Sequence, residues 1–209
     1  MDLGDVDGEV DVSLDYTGLQ RSEQVMTESD TVRDRIAFLR GLRSVRDFRP
    51  DPVPREIVDD LLEVARWSGS ANNSQPWELV VILDRETLRS LAAVEGYAKH
   101  LAGAPLGIVL VMAGEPERVG HETYDEGRLS ERIMLAAAVH GVGSCIGWFA
   151  GDGRQAAKTL LGIPASRLVR TVLSLGYPDD EARRARPKRE QPRKPLAEIV
   201  HQERYRDTE

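Results

Sequence analysis

Arg43-Ser44-Val45-Arg46 puts two guanidinium groups and a hydroxyl within four residues. Arginine makes forked, charge-assisted hydrogen bonds to phosphate oxygens, so this segment suits the grip of a phosphate. Two arginines in a turn are more often surface charges. Further on, Ser70-Ala71-Asn72-Asn73-Ser74-Gln75-Pro76 offers hydroxyls and three carboxamides just before an apolar run. Each carboxamide carries a donor and an acceptor, which matches a heteroaromatic ring with alternating N–H, C=O and N edges. Asn72 or Asn73 also fits a turn in which the side chain bonds its own backbone. Gln75, next to Pro76, has no such local explanation.

The glycines Gly141, Gly143 and Gly147 do not form a dinucleotide fingerprint. That motif needs a strand before it and a helix after it, and here the order is reversed. Gly141 is expected to cap a helix, and Gly147 to allow close backbone approach to a flat ligand. A nicotinamide hydride donor would then have no Rossmann pocket of its own. The histidines His100, His121, His140 and His201 lack paired metal-ligand spacing, and the single cysteine cannot complete a zinc site. Cys145 lies in a strand pattern and reads as a buried structural thiol. The sequence contains neither a Gly-x-Ser-x-Gly elbow nor a P-loop.

These residues must be positioned by the elements between them. A helix is expected from about Asp30, with Val32, Ile36, Leu39 and Leu42 at helical spacing, and a second from Pro54 until Gly69 ends it. Strands are expected at 78–83, 107–112, 144–149 and 168–175, the second apolar throughout and so covered on both faces. Shorter helices fall near 85–94 and 154–161. The longest helix, 122–140, is apolar round nearly its whole girth beyond Ile133. In a domain this small, such a helix implies cover from a second subunit. Trp148 and Phe149 suit either the core or the wall of a pocket.

The chain has 209 residues, 41% apolar and 30% charged, which is enough for one domain with a proper core. One cysteine allows no intrachain disulfide, and no apolar run or basic leader suggests a membrane span or secretion. The expected location is cytoplasmic. The net charge of −7 is uneven: residues 1–30 hold nine acidic side chains and one basic, Arg21, for −8. The rest, with 27 basic and 26 acidic, carries +1, which argues against general affinity for nucleic acid. Residues 1–29 read as an acidic, flexible extension, and residues 30–209 as one domain ending in a basic C-terminal arm.

In this order the motifs resemble the nitroreductase family. The landmarks are Arg43-Ser44-Val45-Arg46-Asp47-Phe48, Ser70–Trp77, the alanine-rich helix into Gly141–Gly147, Leu175-Gly176-Tyr177-Pro178, and Arg193-Lys194-Pro195-Leu196. The resemblance spans Ile36 to Tyr205. It implies an α+β, three-layer fold with a mixed, mostly antiparallel sheet flanked by helices, built as an intertwined homodimer with FMN between the subunits. By the same resemblance Arg43, Ser44 and Arg46 hold the phosphate end, with Arg193 or Lys194 reaching in from the arm. Ser70, Asn72, Asn73 and Gln75 approach the flavin from the partner chain, and the backbone at Ile146 and Gly147 lies along the ring. Where many family members have a basic residue two positions before the serine, this chain has Leu42.

The implied activity is ping-pong hydride transfer from NAD(P)H through flavin N5 to a nitroaromatic, quinone or enone, with the flavin carrying the chemistry. Alternatives are a same-fold flavin or deazaflavin enzyme with other chemistry, such as a dehalogenase or a flavin-consuming enzyme, and a flavin-binding sensor or storage protein.

Overall fold

The computed structural model describes residues 28–186 and 192–206. The acidic segment 1–27 and the basic Lys188 and Arg189 lie outside the described residues. The chain divides into two units, Met1–Leu42 and Arg43–Glu209. The expected boundary at residue 29 falls within the first unit, at the start of its helix α1 (Glu28–Gly41).

The second unit is built on four strands: β1 (Trp77–Ile82), β2 (Leu106–Met112), β3 (Gly143–Trp148) and β4 (Leu168–Gly176). Their order across the sheet is β1-β2-β4-β3, and each neighbouring pair is antiparallel. Central β2 is buried along its whole length, as its unbroken apolar sequence requires. Edge strand β3 alternates instead, with Cys145 and Gly147 buried and Ile146 and Trp148 exposed. Phe149, just beyond it, is fully buried, so the tryptophan and phenylalanine part company: one at the surface, one in the core.

Helices cover both faces. α2 (Arg55–Arg66) and α4 (Val119–Val139) pack Val58, Leu61, Ala65, Leu129, Ile133 and Ala137 against Ile108, Leu110, Leu173 and Leu175. On the other face α3 (Arg85–Ala93) and α5 (Gly153–Leu161) meet Val109, Val111, Val169 and Val172. The three expected layers are present. Two short helices, α6 (Asp180–Ala185) and α7 (Leu196–Ile199), follow β4.

Some boundaries differ for local reasons. α2 stops at Arg66, three residues before Gly69, so Gly69 does not end it. A Cβ at Gly69 would lie 2.6 Å from the Arg128 guanidinium, the movable end of a half-exposed side chain. Gly141 does cap α4, at φ +70°. The N–H of Val142 bonds the Ala137 carbonyl and that of Gly141 the Ala138 carbonyl, the paired bonds of a Schellman turn. Beyond Ile133, α4 is covered on one side only: Met134, Leu135, Ala136 and Ala138 are half-buried and Val139 is 72% exposed. One chain alone does not bury that girth.

Two glycines of α4 should respond oppositely to alanine. Gly141→Ala forces a Cβ into the left-handed region and should destabilise by about 1 kcal/mol. Gly127, inside the helix with open space around it, should gain about 0.5–1 kcal/mol as alanine. Urea unfolding of both variants checks the pair.

Candidate functional site

Residues 43–49 form a short length of chain laid against β3 and the segment after β4. The Val45 N–H bonds the Ser144 carbonyl at 2.8 Å, and the Arg49 N–H bonds the Tyr177 carbonyl at 2.9 Å. Val45 is buried, while Arg43, Ser44 and Arg46 are exposed. The fit depends on Gly143, where a Cβ would come within 2.7 Å of the Val45 side chain. Arg46 acts electrostatically on both Cys145 and His100, and the Cys145 thiol donates to the Ile146 carbonyl at 3.4 Å. Burial pushes that thiol up, against the pull of Arg46 and Ser44. The three expected phosphate-binding residues are therefore grouped at one end of the edge strand.

Arg186 joins them, a residue the sequence did not single out. It pairs with Asp47 at 2.6 Å and also acts on His100 and Cys145. Arg193 and Lys194 are exposed and make no hydrogen bond or ion pair with the other described residues. The described structure thus brings Arg186 to this end of the sheet.

Along β3, alternate residues point their backbone groups toward and away from β4. The outward carbonyl of Ser144 is taken by Val45, and that of Trp148 by the N–H of Tyr97 at 2.6 Å. Between them lies Ile146, whose outward N–H has no partner among the described residues. The missing Cβ of Gly147 faces inward, where one would stand 3.0 Å from Val172 and 3.2 Å from the His100 ring. A side chain there would crowd its neighbours inside the sheet. His100 is held by its Nδ1, 2.7 Å from the Ser174 hydroxyl, while its Nε2 is buried without a partner.

The loop before β1 is strained. Asn72, Asn73 and Gln75 have φ of 53°, 51° and 46°, each costing about 1–3 kcal/mol. It is held by the Gln75 N–H on the Ser70 hydroxyl at 2.8 Å and the Ala71 N–H on the Asp125 carboxylate at 3.2 Å. Asp125 belongs to a trio of buried acids on α4 that sequence reading missed. Glu122 accepts from the N–H groups of Gly114 and Glu115, and Glu126 pairs with Arg170. Their signal was available: 122, 126, 129, 133 and 137 fall on one helical stripe, so the acids share the core face. In one chain this loop sits at the far edge of the sheet from β3. Three strand spacings of about 4.8 Å put roughly 14 Å between the two edges.

Comparison with known proteins follows from this architecture. The nitroreductase family model matches residues 39–109. An Archaeoglobus fulgidus protein, provisionally named NADH dehydrogenase/NAD(P)H nitroreductase, is 33% identical over 143 residues, which cover 66% of this chain and 82% of that one. A 5,6-dimethylbenzimidazole synthase of Rhodospirillum rubrum is 31% identical over 176 residues, covering 69% and 82%. Among solved structures, a Clostridium acetobutylicum protein provisionally named NADH oxidase superposes with a TM-score of 0.68 at 28% identity, over 80% of this chain and all but 1% of the other. An FMN-dependent nitroreductase of Clostridium difficile gives 0.67 at 23% identity, over 81% and 99%. The fold is the α+β nitroreductase fold. The chain belongs to the nitroreductase family and is an oxidoreductase. Among the described residues no helix is long and apolar enough to cross a membrane.

Two outcomes follow. Asp125→Ala removes the buried acceptor of the Ala71 N–H, worth about 1–3 kcal/mol. Hydrogen exchange at Ala71 should accelerate about tenfold or more while exchange in β2 stays unchanged. The second concerns pH. Burial first, then Arg46, holds the His100 imidazole below the usual histidine range, with the Tyr97 and Ile146 backbones opposing. The folded chain thus keeps His100 neutral where the unfolded chain, titrating near about 6.5, takes up a proton. This contribution to stability is complete above that value, falls as pH drops through it, and levels off below the folded value. His100→Gln should flatten the dependence; urea midpoints that fall as steeply in the variant would assign it to another group.

Proposed function

We propose that this protein is a homodimeric FMN oxidoreductase, with each flavin bound between a β3 edge of one chain and the Ser70–Gln75 loop of the other. The observation that carries the reading is a row of outward β3 N–H groups without partners among the described residues, Ile146 at its centre, on an edge whose Ser144 and Trp148 carbonyls are occupied and which adjoins Arg43, Ser44 and Arg46. A cationic end followed by a backbone donor fits a phosphate joined to a heteroaromatic ring. The separation of the loop from β3 within one chain supports a site completed by a partner, as does the half-covered end of α4.

FMN supplies, when bound, the capacity to take hydride from NAD(P)H at N5 and pass it in a ping-pong cycle to a nitroaromatic, quinone or enone. The chain's own residues bind and orient. Arg43 and Arg46 neutralise the phosphate, and Ser44 adds a hydroxyl. Ser70, Asn72, Asn73 and Gln75 offer amide and hydroxyl groups to the ring edges, and the backbone of Ile146 and Gly147 supports the ring. Arg193 and Lys194 belong to a following arm that closes on the phosphate. Residues 30–209 form the catalytic domain with that arm, residues 1–29 an appendage to it, and the protein acts in the cytoplasm. A same-fold enzyme of other chemistry is the second reading, favoured by the 31% likeness to the dimethylbenzimidazole synthase.

Absorption of the purified protein tests both. Bands near about 370 and 450 nm that bleach anaerobically on adding NADH or NADPH, and return with a quinone or nitroaromatic, are the expected result. Bleaching with loss of flavin and without acceptor turnover would favour the second reading, and a protein that takes up no FMN would end both. Arg46→Ala should weaken FMN binding about tenfold or more, the loss of one charge-assisted bond of about 1.5–3 kcal/mol, with unfolding unchanged. Dilution that splits the dimer should release FMN in step.

A further inference from the structure

Ser174 lies directly opposite Cys145 in the β3–β4 ladder. This is one of the pairs in which backbone bonds are exchanged, because its neighbour in the same phase, Phe149, donates to the Arg170 carbonyl. The Cys145 carbonyl therefore accepts from the Ser174 backbone, and it also receives the Ser174 hydroxyl at 3.4 Å. That hydroxyl in turn lies 2.7 Å from His100 Nδ1. The peptide unit that carries the Cys145 carbonyl ends in the Ile146 N–H, the vacant donor at the sheet edge. An imidazole, a hydroxyl and a peptide group are thus connected in series, and the series ends at the site.

We propose that His100 is a positioning residue that acts through Ser174 and the Cys145–Ile146 peptide to set the donor strength of the Ile146 N–H. Hydrogen bonds in series polarise one another, so a stronger donor at His100 Nδ1 makes the Ser174 hydroxyl, and then the Ile146 N–H, stronger donors. With the proton on Nδ1 the series runs toward the edge. The ring also meets the Tyr97 and Ile146 backbones directly, although its buried Nε2 has no well-formed hydrogen bond among the described residues, so the Ser174 variants are needed to separate the series from that contact. The ring is also wedged under Gly147, which has no side chain to displace it. The charged groups acting on it are Arg46 from the 43–49 segment and Arg186 following α6. The two arginines oppose protonation of His100 when their anion is absent. An anion held by Arg46 relieves that opposition, so ligand binding and the donor strength at the edge are linked. The chemical consequence rests on the flavin reading: a stronger donor at Ile146 favours a ring that gains negative charge on reduction.

The test uses the full-length, isotope-labelled protein, with and without FMN. The Ile146 amide signal is followed from about pH 8 downward, through and below the usual histidine range for as long as the chain stays folded, together with the His100 ring signals. The expected result is an Ile146 amide that shifts with the His100 titration in the native protein, loses that component in Ser174→Ala, and keeps it in Ser174→Thr. Should Ser174→Thr fail to fold, His100→Phe, which retains a ring under Gly147, should lose the same component. An Ile146 amide indifferent to His100, or one that still follows it in Ser174→Ala, would overturn the proposal. In the FMN-bound protein, Ser174→Ala should shift the midpoint potential of the flavin to more negative values and weaken its pH dependence. A coupled amide with an unmoved flavin potential would leave the series in place and overturn the assignment of this edge to the flavin.

Discussion

A strand at the edge of a sheet carries a row of outward backbone groups that must be covered, bonded or left for something else. On β3 the chain covers the outward carbonyls of Ser144 and Trp148 with its own backbone and leaves the outward N–H groups, that of Ile146 among them, without partners among the described residues. The rest of the site is arranged around those vacant donors. The 43–49 segment is pinned at one side, so its two arginines and serine cannot wander. The Gly96–Phe149 bridge and the Tyr97 contact pin the other side. Both attachments need close approach: Gly143 makes room for Val45, and a Cβ at Gly96 would meet the Trp148 carbonyl. The gap is as wide as one dipeptide because the residues beside it are held in place.

The buried acids of α4 do comparable work on the other side of the molecule. A carboxylate removed from water is costly unless bonded, and each of these three is bonded to a different partner: the turn after β2, the loop before β1, and β4. One helix thereby ties two loops and a strand to its own position. The strain in Asn72, Asn73 and Gln75 persists because Asp125 and Ser70 restrain the loop at both ends.

Much of this was legible in the sequence where the signal is local. All four strands lie within a residue or so of the expected spans, since apolar runs such as 106–112 cannot be exposed, and the phosphate-type cluster at 43–46 is contiguous. What was not legible depends on contacts distant in sequence. His100 reads as a lone histidine until β4 brings Ser174 beneath it, and Arg186 is one cation among many in a basic stretch. The stripe of 122, 126 and 129 places the α4 acids on the core face, but which partners bond Glu122, Asp125 and Glu126 cannot be read from their own helix. Gly147 was legible as a required glycine, but which of its two faces was crowded was not.

The positive φ angles of the Ser70–Gln75 loop bear on how its side chains can be studied. Asparagine enters the left-handed region more readily than most residues, and glycine does so freely. An alanine at 72 or 73 would remove a carboxamide and oppose the backbone shape at once, so its effect would mix two causes. Glycine keeps the shape and deletes only the amide, whereas aspartate keeps much of the shape and exchanges the donor for charge. The backbone thus sets the alphabet in which this loop can be interrogated, and also the narrow set of residues through which it can drift.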